Sequence, residues 1–296
     1  PAAGTETGVF CAATEEATRA FQQARGLHAN GICDEHTWTA LVEASWKPGD
    51  RQLLLTSPHL RGDDVAELQS RLARLGFDCG RIDGTFGPRT SRALADFQSN
   101  CGTVPDGICG PDTLRIIVRV IGQTGSGPGV GAVRDRENLR AGFESMANCR
   151  VVIGQFGGLS GLTRTLAREL RQRGATVMPL DEPDAVAQAV AANHFGADVY
   201  VGFQGHTATT SVAHYYQVPG FESAGGRSLA ELIALEIDIV PGVATTVGGM
   251  RLPVLRETRM PAVLMTLGPI RTVTDASPRL AVSVLRALDL WILRTA

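Results

Sequence analysis

Apolar residues follow two different periods along this chain. Between Asp63 and Gly76, Val65, Leu68, Leu72 and Leu75 recur at helical spacing, which predicts a helix with one apolar stripe. Asp63 or Asp64 is suited to its N-cap and Gly76 to its end. A second helix is expected from Pro88 to about Asn100, with the proline at the first helical position and Ala93, Leu94 and Phe97 facing inward. The device Asp-Gly-x-x-Gly-Pro-x-Thr then recurs from Asp106 to Thr113. Its Asp-Gly makes a tight turn and its Gly-Pro-x-Thr starts a third helix.

The preceding stretch repeats this pattern at a displacement of 76 residues. Phe10 falls on Phe86, Thr14 on Thr90, Ala17 on Ala93, Phe21-Gln22 on Phe97-Gln98, Gly31-Ile32-Cys33 on Gly107-Ile108-Cys109, and Thr37 on Thr113. Self-similarity at one fixed displacement marks repeated modules. Residues 1–46 read as a first repeat without its leading helix, and 59–121 as a complete second one.

From Cys149 the period changes. Short apolar runs at 151–153, 175–180, 198–203, 212–217 and 262–267 read as strands. They alternate with helical patterns at 162–174, 185–194, 229–240 and 279–293. Such alternation predicts an α/β domain over 149–296, a mostly parallel sheet flanked by helices. All-α repeats precede it. The glycine, serine and proline between Gln123 and Val133 predict a flexible join, placing a linker at 122–148. It has no lysine, which argues against a phosphate loop.

Composition narrows the function. The chain has 296 residues, long enough for two domains. A net charge of −2 argues against a nucleic-acid surface. No apolar run approaches the roughly 20 residues of a membrane span, and Pro1-Ala2-Ala3-Gly4 does not read as a signal peptide. None of the six cysteines forms a Cys-x-x-Cys pair, so buried free thiols are expected rather than a zinc ribbon. Thiols fit a reducing cytoplasm; a secreted or wall location is the alternative.

Leu60-Arg61-Gly62-Asp63-Asp64-Val65, Leu68-Gln69, Leu72, Leu75-Gly76, Asp83-Gly84-x-Phe86-Gly87, Thr90, Ala93-Leu94 and Phe97-Gln98 resemble the three-helix peptidoglycan-binding module. Ala192-Asn193-x-x-Gly196-Ala197-Asp198, and Leu255 to Leu264 through Thr258-Arg259-Met260-Pro261, resemble the zinc-dependent N-acetylmuramoyl-L-alanine amidases. The combination is most similar to the degenerate actinobacterial amidase-like regulators of peptidoglycan precursor synthesis.

The resemblance implies a zinc held by His, Glu and His, with a further Glu for proton transfer. Aligned on these motifs, the positions hold Gln155, Gln204 and Thr266, and the loop after the first strand holds no histidine. Counting back from Gly174 sets Gln155 at the start of the next helix. No catalytic or metal-ligating residue and no cofactor is therefore expected, with zinc only if the site has diverged. Gln155, Gln204, His206 and Thr266 are instead expected to line a cleft of neutral hydrogen-bonding groups.

His206 is expected as an ordinary hydrogen-bonded or exposed histidine, the alternative being a metal site shared with His214 or Glu222. Ser160 is expected to cap the helix that follows it. The resemblance implies peptidoglycan fragments or precursors as ligands. It also implies the UDP-N-acetylglucosamine enolpyruvyl transferase as a partner, regulated rather than degraded wall material being the output. A divergent, active amidase is the alternative.

Overall fold

The computed structural model describes residues 8–121, 145–218 and 221–295. The chain divides into two compact units, one N-terminal and one C-terminal. The expected linker falls outside the described residues, except for a short 3-10 turn at Met146–Asn148.

The N-terminal unit contains α1 (Ala12–Ala24), α2 (Glu35–Ser45), α3 (Asp63–Arg74), α4 (Pro88–Asn100) and α5 (Pro111–Ile121). Pro88 and Pro111 open their helices, where a missing N–H leaves no hydrogen bond unmade. The apolar stripe of α3, Val65, Leu68 and Leu72, packs with Leu53, Phe86, Leu94, Phe97 and Ile117 in one core. Its N-cap is Gly62, so neither Asp63 nor Asp64 takes the capping role. A side chain at Gly62 would meet Arg51 Nη2 at 2.8 Å, because buried Asp64 draws that guanidinium in. Arg51 donates to Asp64 from Nε at 2.8 Å and from Nη2 at 3.0 Å.

One hydrogen-bonded frame occurs three times in this unit. Gln98 of α4 is buried and donates to Asp106 Oδ1 (2.8 Å), Ile108 O (3.0 Å) and Thr113 Oγ1 (3.3 Å), while its Oε1 accepts from Gly107 N (2.8 Å). Gln69 of α3 makes the same set with Asp83, Thr85, Thr90 and Gly84. Gln22 of α1 makes it with Asn30, Ile32, Thr37 and Gly31. One amide therefore ties a helix, the turn after it and the helix that follows. Gly107 (φ 68°) and Gly84 (φ 73°) supply the left-handed backbone these turns need.

The C-terminal unit contains β1 (Arg150–Gln155), α6 (Ser160–Gln172), β2 (Thr176–Asp181), α7 (Ala185–Phe195), β3 (Val199–Gly205), β4 (Ser211–Val218) and β5 (Phe221–Glu222). It continues with α8 (Ala224–Ile237), β6 (Thr245–Met250), α9 (Pro253–Glu257), β7 (Ala262–Leu267), α10 (Ile270–Asp275) and α11 (Ser277–Thr295). The sheet order is β2-β1-β3-β7-β4-β5, with β6 also paired to β4. β2, β1, β3 and β7 are mutually parallel and β4 runs against β7. The sheet is thus mostly parallel, as expected; β5, β6, α9 and α10 are additions that the apolar pattern did not reveal.

Val151, Ile153, Val201, Phe203, Ala213 and Met265 face one core with Leu162 and Leu166 of α6, Ile233 of α8 and Trp291 of α11. On the opposite face, α7 and α9 meet one another. Asn193 of α7 donates to Glu257 O (2.8 Å) and accepts from Arg259 N (2.9 Å). The two amidase-like sequence segments are therefore bound to each other, and Asn193 holds the fold together rather than performing chemistry.

All six cysteines are unpaired; Cys79, Cys109 and Cys149 are buried, whereas Cys33 is exposed and departs from the expectation of burial. No helix among the described residues is long and apolar enough to cross a membrane.

Candidate functional site at the strand ends

In parallel sheets, functional groups gather at the carboxyl ends of the strands. β3 and β7 pair in a register that sets Gln204 beside Thr266, so both side chains leave the same face of the sheet. β4 sets Val212 opposite Thr266 and His214 opposite Leu264, placing His214 on that face too. Its Nε2 lies 3.0 Å from Thr266 Oγ1, and Thr266 Oγ1 lies 3.4 Å from Val212 O. With Nε2–H donating to the threonine and the hydroxyl donating to the carbonyl, both protons are used. Nδ1 is then a buried lone pair without a partner.

Burial, and secondarily the nearby His206, push the His214 pKa down to about 4. The imidazole is therefore neutral at neutral pH. His206 continues the pairing beyond β3: its N donates to Leu267 O (3.0 Å) and its O accepts from Ile270 N (2.9 Å). Its ring packs over Gly268, where a Cβ would stand 2.5 Å from Cε1. Glycine is required there by this close approach.

Gln155 does not join this group. It pairs in register with Phe203, which points to the opposite face from Gln204. Nor does it begin a helix: it ends β1, and a short turn separates it from α6. Counting back from a helix terminus cannot see that turn. The Gln155 amide donates to Ser160 Oγ at 3.2 Å, and its Oε1 is buried without a partner. Ser160 is correspondingly not a cap; Leu159 holds the N-cap position and makes no side-chain cap.

Glu222 pairs with Arg227 at 3.2 Å, and His214 spends Nε2 on Thr266. Among the described residues, no three His, Cys, Asp or Glu side chains are grouped to hold a metal ion. His214 is the residue whose role sequence reasoning missed. The alternation of Val212, His214 and Tyr216 along one strand was the available signal that it shares a face with its neighbours' site.

Two stretches, residues 2–41 and 61–117, match the family model described as "Putative peptidoglycan binding domain". Over 300 aligned residues the chain is 35% identical to N-acetylmuramoyl-L-alanine amidase CwlM of Mycobacterium tuberculosis, covering 90% of this chain and 73% of that protein. The chain belongs to the N-acetylmuramoyl-L-alanine amidase family. A spore cortex-lytic enzyme of Bacillus cereus is 47% identical over 58 residues, 20% of this chain and 22% of the enzyme. Amidase AmiC2 of Nostoc punctiforme superposes with a TM-score of 0.40 at 17% identity, covering 49% of this chain and 97% of AmiC2. Family membership thus coexists with glutamine and threonine at the positions just described.

Proposed function

We propose that the protein is a non-catalytic member of its family, which keeps the amidase fold as a binding surface and regulates peptidoglycan synthesis. Its partner on this reading is the UDP-N-acetylglucosamine enolpyruvyl transferase, wall precursors or fragments, or both, and its place is the cytoplasm. The observation that carries the proposal is the pairing of Gln204 and Thr266 beside a neutral, engaged His214. Zinc in a hydrolytic site needs imidazole or carboxylate donors, and two neutral side chains with a committed imidazole do not suit it. Proton transfer needs a group that titrates near the working pH; a threonine hydroxyl does not, and His214 is held in its neutral form. Gln155 lies across the sheet and cannot complete a donor set.

The second reading is a zinc amidase with a divergent site, favoured by the name of the mycobacterial relative. The two readings separate in one preparation. Protein purified without chelator or histidine tag is expected to carry well under one zinc per chain, to leave muropeptides intact when zinc is added, and to capture the transferase from solution. Stoichiometric zinc with release of stem peptide would overturn the proposal in favour of the amidase; failure to capture either the transferase or muropeptides would remove the binding role.

A further inference from the structure

The C-terminal unit has a second concave feature, away from the strand ends. A groove of about 430 Å³ lies between the loop that leaves α8 and the first turns of α11. Ile239, Val240 and Pro241 form one wall; Arg279, Val282 and Arg286 lie on the other. Its apolar parts are uncovered, Ile239 being 66% and Val282 42% exposed. Arg279, Val282 and Arg286 stand at i, i+3 and i+7 on one stripe of α11, so the two arginines are about 10 Å apart along the axis.

Neither arginine has a hydrogen bond or ion pair among the described residues. Other arginines of the same unit do: Arg227 pairs with Glu222 and Glu231, and Arg173 pairs with Asp289 of α11. The nearby Asp238 spends Oδ1 on Thr245 N (2.8 Å) and does not line the groove. A positive rim with no carboxylate among the residues that line it is a local exception in a chain whose net charge is −2. Arginine is weakly hydrated and takes carboxylates bidentately, which suits it to interfaces.

We propose that this groove docks a partner segment in which an apolar side chain is flanked by carboxylates. The apolar group sits between Ile239 and Val282, and the acids meet Arg279 and Arg286. The inference rests on the reading that the protein acts through a partner, and adds the place and the chemistry of contact. The volume matches one or two side chains of a peptide. A flat anionic membrane would reach the arginines and leave the concave floor empty.

The test uses the full chain with labelled isoleucine and valine methyl groups, titrated with three probes. These are a 12-residue peptide with two central leucines between glutamates, the same peptide with glutamines, and vesicles containing anionic phosphatidylglycerol. The acidic peptide is expected to move the Ile239 and Val282 methyl signals, the glutamine peptide to bind about tenfold more weakly or worse, and Arg279→Gln with Arg286→Gln to remove the difference. Both arginines are exposed and unpaired, so the double variant is expected to fold. Equal binding of the two peptides, or unmoved methyl signals, overturns the proposal; vesicles alone moving those signals assign the groove to a membrane surface instead. If the double variant captures the transferase as well as the parent chain does, the groove falls and the partner reading stands.

Discussion

Phe10 and Phe86 occupy equivalent positions in the two N-terminal repeats, as do Leu41 and Ile117. Phe86 and Ile117 are 0% exposed, whereas Phe10 is 58% and Leu41 36% exposed. The second repeat has α3 to cover that face, and the described residues place no helix before Ala12. Yet Gln22 is as buried as Gln98 and makes the same hydrogen bonds. The polar frame of a repeat is built from its own short segment. The apolar core of the second repeat is not local, since α3 supplies one of its sides.

The largest effect that would break this comparison is on the phenylalanines. Phe86→Ala is expected to cost the N-terminal unit about 3–5 kcal/mol, the range for a fully buried ring. Native-state hydrogen exchange of the α4 amides would read this loss. A similar loss at both phenylalanines would show that the first repeat is covered in solution. Next in size is the acid response of a buried polar group in the other unit, His214, which unlike the glutamines can become charged.

Its folded pKa of about 4 lies below the ordinary 6.5, so between those values the unfolded chain takes a proton that the folded one refuses. Stability is therefore unaffected above pH 6.5 and falls as pH drops towards 4, by on the order of 3 kcal/mol. Denaturant midpoints against pH, compared with His214→Gln, would measure this. A His214 resonance, assigned by its loss in His214→Gln, that titrates near 6.5 would contradict the buried geometry.

Smaller and more diagnostic is the glutamine pair. Gln98→Ala and Gln22→Ala should each cost about 2 kcal/mol, because each removes the acceptor of a turn glycine N–H, Gly107 and Gly31 respectively. Faster exchange at Gly107 N and Gly31 N respectively is the readout. A cost at Gln98 alone would mean that the frame needs the apolar cover after all. The smallest effect sharpens the contrast from the other side: Phe10→Ala should change stability by no more than about 0.5 kcal/mol.

Much of the fold was legible before the structure. The stripe Val65, Leu68, Leu72 announced α3, and the runs at Val151, Val199 and Ala262 announced β1, β3 and β7. β6 escaped because Thr245-Thr246-Val247-Gly248-Gly249-Met250 has two glycines and little alternation; it is a strand because β4 offers it a partner. The start of α6 was misjudged at Ser160 because a capping residue type is also an ordinary first-turn residue. For the site, Gln204 and Thr266 were expected from their motifs to share a cleft, and the register sets them side by side. Gln155 was grouped with them wrongly, since one residue of register decides the face of a strand and no motif encodes it.

Residue types and local spacing determined the elements, the repeated turn frame and the chemical poverty of the strand-end positions, because those depend on side-chain identity and on neighbours within a turn or two. Tertiary structure alone decided which repeat has a closed core, that Gln155 lies across the sheet, and that Thr266 is tied to a neutral His214. These depend on pairing between segments far apart in the chain, where burial and register are set together.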